Sequence, residues 1–402
     1  MKKTFLFVLI INLIIFVALE IAVKLSLKYL GYSTVQKYAN ISSHQFDYTT
    51  GYYKGPFESE KKNNDGSIVK LGTDRYGFAI DGTGDVQRDL ISKNKCSYRV
   101  FLLGGSTVEG RFLEDKFDTI SARLEKTLNQ DFNNIKFEVI NTGISSFQSS
   151  QEISLFLYKI LYSMKPDHVI FFNGSNEFAN SLDNVDLVET NSHLYQRELK
   201  ENIKNSSKNI FYSLDTMLAE NLSLYFASKK VMKKLAQKFQ KREKQNIDTD
   251  NDKIEKVIEK HVYRYFYNMQ IAENLSSTQT SVSVFFQPTL LPESIKNASS
   301  EEMKIIESVK KNEWGKSFYL DAKQIYYDKV REGLKNKKNS NENFQFLDLS
   351  GIFSNKSNEL SYFGDHVHYL PESRKVIVEN IYSYIKPLVL KNLNLNFNNC
   401  TK

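Results

Sequence analysis

Cysteine is scarce in this sequence, which argues against a disulfide-stabilised scaffold and against a metal site built from cysteines. The 402 residues include only two cysteines, Cys96 and Cys400, which lie far apart. Two cysteines are too few for a disulfide framework, and these two lack the spacing of metal ligands. We therefore interpret both as incidental residues.

The sequence also lacks a large excess of charge of one sign. Its formal net charge is +7, and most basic residues are interspersed with acidic ones. No zinc-finger, leucine-zipper or RNA-platform motif is present, so the sequence predicts no nucleic-acid partner. With 41% hydrophobic residues, the chain can bury a sizeable core, and its length favours one large domain with insertions or two domains.

Long apolar runs are confined to the N-terminus. Residues 5–19 are FLFVLIINLIIFVAL, and the apolar character resumes after Glu20. About 20 such residues cross a bilayer, and no small-x-small cleavage site of a signal peptide follows the run. We therefore predict an uncleaved single-pass membrane anchor over residues 1–30. Two lysines precede it and favour an inside N-terminus, with the rest of the chain on the extracytoplasmic side.

The remaining chain divides by its pattern of apolar residues. Residues 31–97 lack long periodic segments and predict a loop-rich linker packed on the main domain. The main domain is predicted over 98–390, with a helical insertion at about 180–280 and a polar tail at 391–402. Short apolar segments alternate with helical patterns and predict buried parallel strands. These segments are 98–103, 137–140, 168–172, 282–286 and 344–349.

The helix that follows the second predicted strand has its own start signal. Ser149 and Glu152 have the spacing of a capping box, which predicts that Ser149 caps this helix. Alternating strands and helices predict a doubly wound α/β fold with a parallel sheet. In such folds ligands bind beyond the carboxyl ends of the strands.

Unusual residues follow three of the predicted strands. GGS ends at Ser106, NTG ends at Gly143, and NGSNE contains Asn176. Further along, Asp365 precedes His368 by three residues in a loop before a helix that starts with proline. Acyl transfer by a serine needs a base, a carboxylate that orients the base, and donors aimed at the developing oxyanion. Every required residue type is present.

Four motifs in this order resemble the SGNH, or GDSL-like, hydrolase and acyltransferase superfamily: LLGGSTVEG, VINTGISSF, FFNGSNE and DHVH. The resemblance covers roughly 98–180 and 340–386, and it implies a flavodoxin-like three-layer sandwich. Two positions depart from the family pattern. Gly105 stands where the family name expects Asp, and Glu177 stands where Asp often follows the Asn.

The resemblance also implies the roles of the site residues. Ser106 is the expected nucleophile, His368 the base and Asp365 the carboxylate that orients it. The backbone N–H groups of Ser106 and Gly143 and the side-chain amide of Asn176 are the expected oxyanion hole. No cofactor is implied. A metal cluster at 365–368 is disfavoured, because three ligands within four residues are crowded and no second cluster completes the shell.

Three functions remain open at this point. The preferred one is an extracytoplasmic esterase that removes a small acyl group, such as O-acetyl, from a cell-surface carbohydrate or a similar ester. The second is an O-acyltransferase that uses the same triad, with a carbohydrate hydroxyl in place of water. The third is a non-catalytic polysaccharide-binding protein, against which the intact Ser, His and Asp set argues.

Two segments of the insertion have alternative interpretations. Residues 229–244, KKVMKKLAQKFQKREK, have the pattern of a basic amphipathic helix. Such a helix either binds an anionic membrane or polymer, or packs its apolar stripe on the core. The aromatic-rich helix predicted over 254–274 either caps the active site or, as the default, packs in the core.

Overall fold

The computed structural model describes residues 2–29, 44–47, 49–62, 68–82, 87–110, 115–183, 218, 222–225, 227–229, 231–232, 251–310, 319–337, 341–354, 359–397 and 400. The chain divides into two units. One comprises residues 1–46 and 194–248, and the other comprises residues 47–193 and 249–402. All the predicted site residues belong to the second unit.

The first unit contains helix α1, Lys2–Tyr29, which includes the apolar run. Glu20 of this helix accepts hydrogen bonds from the backbone N–H groups of Ser223 and Leu224, at 2.5 and 2.8 Å. Among the described residues, no helix is both long enough and apolar enough to cross a bilayer. The anchor therefore stays a prediction. Most of the predicted basic helix, 229–244, lies outside the described residues.

The predicted linker contains four short strands that the sequence analysis did not predict. The strands are β1 (His44–Asp47), β2 (Gly51–Lys54), β3 (Phe57–Lys62) and β4 (Ile68–Thr73). Strands β3 and β4 pair antiparallel, with Phe57 opposite Thr73. Their sequences, FESEKK and IVKLGT, mix charged and apolar residues, so they lack the continuous apolar run that marks a buried strand.

The stretch after β4 lies against the main domain. The N–H of Ala79 donates to the carbonyl of Asn141 at 3.1 Å. The buried carboxylate of Asp81 accepts hydrogen bonds from the Thr119 hydroxyl at 2.7 Å and from the Asn141 amide at 2.9 Å. These bonds fix the segment beside the second strand of the central sheet.

The central sheet has five parallel strands. They are β5 (Ser97–Gly104), β6 (Lys136–Asn141), β7 (His168–Asn173), β8 (Ser281–Phe286) and β9 (Phe344–Asp348). Their spatial order is β6-β5-β7-β8-β9, which is the flavodoxin-like order 2-1-3-4-5. Every residue of β5, β7 and β8 is buried. The predicted α/β fold with a parallel sheet is confirmed.

Helices cover both faces of this sheet. The helices of this unit are α2 (Ser106–Glu109), α3 (Ile120–Asp131), α4 (Ser149–Leu155), α5 (Ser175–Asp183), α6 (Asn251–Leu275), α7 (Ser300–Lys310), α8 (Tyr319–Asn336) and α9 (Pro371–Asn396). Helices α3 and α9 pack on one face, and α4, α6 and α8 on the other. Consecutive residues of β8 show the two layers: the Phe285 ring lies 6.3 Å from that of Tyr384 in α9, and the Phe286 ring lies 4.5 Å from that of Tyr327 in α8.

The N-terminus of α4 differs from the prediction by one residue. Gln148, not Ser149, is the N-cap, and Gln148 and Gln151 form the capping box. Glu152 points inward instead and accepts a hydrogen bond from the buried amide of Asn173. The predicted box was wrong because the side chains of Ser149 and Glu152 are both used by contacts with other elements.

The aromatic-rich segment forms helix α6, which packs in the core, as its default interpretation expected. Tyr265 and Met269 are fully buried, and the Tyr265 hydroxyl donates to the side chain of Asn173 at 2.7 Å. This helix belongs to the second unit, so the predicted insertion does not form one body. Its other face exposes the stacked rings of Tyr263 and Tyr267.

The two cysteines form a disulfide bond, so their interpretation as incidental was wrong. Helix α9 begins beyond the carboxyl ends of the strands and runs back to their amino ends, where Asn392 bonds to the Tyr98 hydroxyl at 3.1 Å. The chain therefore brings Cys400 beside Cys96, with Cα atoms 5.4 Å apart. Because α9 extends to Asn396, much of the predicted polar tail is helical.

Candidate active site

The turn between β5 and α2 presents the hydroxyl of Ser106. A Cβ atom at Gly104 would lie 2.6 Å from the carbonyl oxygen of Phe172 and would overlap the Val108 side chain. A Cβ atom at Gly105 would overlap Nδ2 of Asn176. The two glycines are therefore needed because this turn approaches the end of β7 and the residue Asn176 after it more closely than a side chain permits.

Three predicted residues form one chain of hydrogen bonds. The Ser106 Oγ lies 2.6 Å from Nε2 of His368. The other ring nitrogen of His368, Nδ1, lies 2.7 and 2.9 Å from the two carboxylate oxygens of Asp365. This order of hydroxyl, imidazole and carboxylate is the arrangement that activates a serine for nucleophilic attack.

The loop between β9 and α9 holds the imidazole and the carboxylate. The N–H groups of Val367 and His368 donate to Oδ1 of Asp365 at 2.9 and 2.8 Å. The N–H of Gly364 donates to the His368 carbonyl at 2.9 Å, which closes the loop on itself. The two functional side chains are therefore fixed by a single compact turn.

Asp365 is ionised in this environment. Its partial burial raises the pKa, but the hydrogen bonds and charge of His368 and the two backbone N–H groups outweigh burial. The net effect holds the pKa of Asp365 well below its usual range. A carboxylate in this position selects the tautomer of His368 with its proton on Nδ1, which leaves Nε2 free to accept the Ser106 proton.

Asn176 lies beside the nucleophile at the start of α5. Its Nδ2 donates to the carbonyl of Phe147 at 2.7 Å. An amide nitrogen carries two hydrogens, so the second remains available to an oxygen above Ser106. The N–H of Ser106 is also available, because it makes no hydrogen bond to the described part of the chain.

Gly143 differs from the other predicted donors. Its N–H donates to the side-chain oxygen of Asn141 at 3.0 Å, so it already has a partner within the protein. A Cβ atom at this position would overlap the backbone of Glu109. The structure therefore shows a packing reason for this glycine, which is the close contact between its loop and α2.

Ser146 is a neighbouring residue that the sequence did not reveal. It has a φ of 65°, in the left-handed region that non-glycine residues rarely adopt. It directly precedes Phe147, whose carbonyl holds Asn176. Within the described residues, its N–H makes no hydrogen bond. Only a positive φ distinguishes this position, and no sequence pattern predicts that for a serine.

A second group missed by the sequence lies at the end of α2. Glu109 accepts hydrogen bonds from the Lys54 ammonium and, at 2.6 Å, from the Ser145 hydroxyl. The side chains of Lys54 and Glu109 are 11% and 23% exposed, so little water screens this pair. The pair links strand β2 and the loop after β6 to the helix that begins at Ser106.

His366 does not join the hydrogen-bonded chain. Its ring packs edge-on against Tyr319, with Nε2 3.5 Å from the Tyr319 hydroxyl. In the portion of the chain that the structure describes, no group of three His, Cys, Asp or Glu side chains is placed to hold a metal ion. The donor set at this site is suited to proton transfer and acyl chemistry.

Comparison by sequence and comparison by structure give different results. The sequence matches no family model and no curated protein. Among solved structures, it is similar to a lipase from a goat rumen metagenome, at 12% identity and a TM-score of 0.39, over 71% of this chain and 97% of that one.

Two further similar structures are an acetyl xylan esterase variant from Geobacillus stearothermophilus, with a TM-score of 0.32, and a putative GDSL-like lipase from Parabacteroides merdae, with a TM-score of 0.35. Each is 12% identical, over 73% of this chain and 97% of the other. Similarities of this degree are too weak to indicate a function. The function proposed below rests instead on the geometry of the site.

The substitution Gly105→Ala tests the close approach at the nucleophile turn. We expect the added Cβ to displace the Asn176 amide from the Phe147 carbonyl and to lower the rate at which a fluorophosphonate labels Ser106. Gly351→Ala is the matched control and should leave labelling unchanged, since among the described residues its Cβ would meet only the Ser354 hydroxyl, at 3.6 Å. Equal labelling of both variants and wild type would show that Gly105 has no such role.

Proposed function

We propose that this protein is a serine ester hydrolase with Ser106 as its nucleophile. The observation that carries the proposal is the 2.6 Å contact between Ser106 Oγ and His368 Nε2, with Asp365 bonded to the opposite ring nitrogen. An exposed serine alone would support a helix cap equally well. A serine bonded to an imidazole that a carboxylate orients has the arrangement of a general-base mechanism.

The reaction follows from this arrangement. His368 accepts the Ser106 proton as Oγ attacks the ester carbonyl, and the imidazolium is stabilised by Asp365. The tetrahedral intermediate expels the alcohol, which takes the proton from His368. Water then attacks the acyl-enzyme with His368 again as the base, and the acid is released. Each proton passes through Nε2 of His368, and the last one returns to Ser106 Oγ as the acid leaves, so the triad regains its starting state without a cofactor.

The proposed oxyanion hole differs in one position from the expectation. The Ser106 N–H and the free hydrogen of the Asn176 amide remain its donors. Since the Gly143 N–H is bonded to Asn141, we propose the Ser146 N–H as the third donor. Donors held in place before the reaction act more strongly than water, because they need no reorganisation as charge develops.

The proposed substrate is a small acyl ester, such as an O-acetyl group, on a cell-surface carbohydrate. Its support is the sequence resemblance together with the proposed extracytoplasmic location. The acyltransferase alternative uses the same triad, since only the acceptor that meets the acyl-enzyme differs. A non-catalytic polysaccharide-binding protein is less well supported, because binding alone needs no bonded Ser, His and Asp.

A product analysis separates these alternatives. We expect the protein lacking residues 1–30, incubated with an acetyl ester, to release free acetate both with and without a soluble oligosaccharide. Formation of acetylated oligosaccharide in place of acetate would favour the acyltransferase. A folded protein that yields neither product would contradict both catalytic proposals and favour binding alone.

We also propose that residues 1–30 attach the protein to a membrane, with the second unit on the extracytoplasmic side. The support is the apolar run at 5–19 and the Cys96–Cys400 disulfide, since such bonds persist in oxidising compartments. The full-length protein should remain with membranes after carbonate extraction, and a form that starts near Gly31 should be released. A mature N-terminus between about 18 and 35 would show cleavage of the segment instead.

Substitutions in the triad test the mechanism. Ser106→Ala and His368→Ala should each lower kcat for an acetyl ester by roughly 10⁶-fold, and the double variant should be hardly worse. Asp365→Asn should cost about 10⁴-fold through the wrong tautomer. Asn176→Ala, which removes one oxyanion donor, should cost about 10² to 10³-fold.

The control for these substitutions is Ser150→Ala, since the Ser150 hydroxyl of α4 has no hydrogen-bond partner among the described residues. This variant should keep wild-type turnover. Mass spectrometry should locate the phosphonyl adduct of a fluorophosphonate on Ser106. An adduct on another residue, or full activity of Ser106→Ala, would refute the mechanism.

A further inference from the structure

Lys323 of α8 is a fully buried lysine close to the loop that carries Asp365 and His368. Its side chain is completely excluded from solvent. Among the described residues, no carboxylate lies within 4.0 Å of its ammonium, so it has no ion pair there. A buried charge without a counter-ion is costly, and its presence calls for a specific contact that offsets the cost.

The contacts of Lys323 lead to the carbonyl of His366. Its Nζ donates to the Thr289 hydroxyl and, at 3.4 Å, to the His366 carbonyl. The Thr289 hydroxyl in turn donates to the same carbonyl at 2.7 Å, and the Leu290 N–H donates to it at 3.2 Å. Three donors from two elements therefore converge on one oxygen.

The carbonyl oxygen of His366 lies in the short segment between the two functional residues of the loop. His366 directly follows Asp365 and precedes His368 by two residues. Thr289 and Leu290 follow strand β8, so the sheet and α8 both hold this turn. The Tyr369 hydroxyl adds a further bond to the same segment, since it donates to the Pro288 carbonyl at 2.7 Å.

The charge of Asp365 also acts on Lys323. Burial lowers the pKa of Lys323 to about 7, and the charge of Asp365 acts in the opposite direction. When Lys323 is protonated, it and the ionised Asp365 attract each other across the turn, although they make no direct ion pair. The donors and the charge of Lys323 both act on the same loop.

We propose that Lys323 is a positioning residue of the active site. Through Thr289 and the His366 carbonyl, it holds the loop in the conformation in which His368 Nε2 meets Ser106 Oγ. This inference rests on the proposed ester hydrolase function. The lysine touches neither the nucleophile nor the base, so its effect is on their relative placement and not on proton transfer itself.

The test compares Lys323→Met, Thr289→Val and the double variant with wild type. We expect each single variant to lower kcat for an acetyl ester about tenfold, with KM changed less than twofold, since each removes a donor that holds the His366 carbonyl. The double variant should be no worse than the single ones, because both residues act through one carbonyl. Fluorophosphonate labelling of Ser106 should slow in parallel.

Thermal melting distinguishes positioning from general support of the fold. Because Lys323→Met replaces an unpaired buried charge by an apolar side chain of similar length, its Tm should equal or exceed that of wild type. Lys329→Met is the control on the same helix. Lys329 is partly exposed and pairs with Glu255 and Glu259, so this variant should keep wild-type kcat.

The outcomes separate this inference from the proposed function. Wild-type turnover together with unchanged kcat in Lys323→Met and Thr289→Val would overturn the positioning role and leave the hydrolase proposal intact. If Lys323→Met does not fold, unchanged kcat in Thr289→Val alone would overturn it. A wild-type protein that neither turns over esters nor labels at Ser106 would refute the hydrolase proposal and this inference with it.

Discussion

The parallel register of β5 and β7 is the constraint on which the site depends. Gly104 pairs with Phe172, so the two strands end at the same level and the helices after them begin side by side. Ser106 and Asn176 are therefore neighbours although 69 positions of the sequence lie between them. The register of β8 against β7 continues this edge, because Asn173 pairs with Phe286 and the loop with Thr289 follows at once. The loop with Asp365 and His368 is in turn held by Thr289 and Leu290, which donate hydrogen bonds to the His366 carbonyl.

A buried polar layer supports the same edge from behind. Glu177 accepts a hydrogen bond from the N–H of Ser149, and Glu152 accepts one from the amide of Asn173. Burial raises the pKa of both carboxyl groups, and for Glu152 the nearby Glu177 adds to the effect. Glu177 is one of the two positions that depart from the pattern of the superfamily that the sequence resembles. Its longer side chain reaches the start of α4 and so fixes the loop whose Phe147 carbonyl orients Asn176.

Sequence patterns predicted most of the sheet because its strands are buried on both faces. Apolar runs such as SYRVFLLG and HVIFFN have few alternatives when turn residues bound them. The prediction of Ser106, Asp365, His368 and Asn176 depended on motifs that follow those strands, and the structure places their side chains at one sheet edge. Their chemical roles remain proposals.

The features that the sequence did not predict depend on contacts between distant segments. The Cys96–Cys400 bond exists because α9 returns to the amino end of β5, and nothing near either cysteine indicates that path. The hydrogen bond of Gly143 to Asn141 and the positive φ of Ser146 are details of one tight loop. Strands β3 and β4 were missed because their sequences contain no continuous apolar run. Each of these features depends on how distant segments meet in the folded chain, which a local sequence pattern does not contain.

The disulfide makes a closed covalent ring of residues 96–400, and this ring contains every residue of the candidate site. Strand β5, which leads to Ser106, and helix α9, which follows His368, both begin or end next to the cross-link. A protease that cuts the backbone once inside the ring opens it without separating the nucleophile from its base. In an oxidising medium the singly nicked protein would keep both halves of the site on one molecule, and the disulfide would also have to be reduced before that cut could release them as fragments.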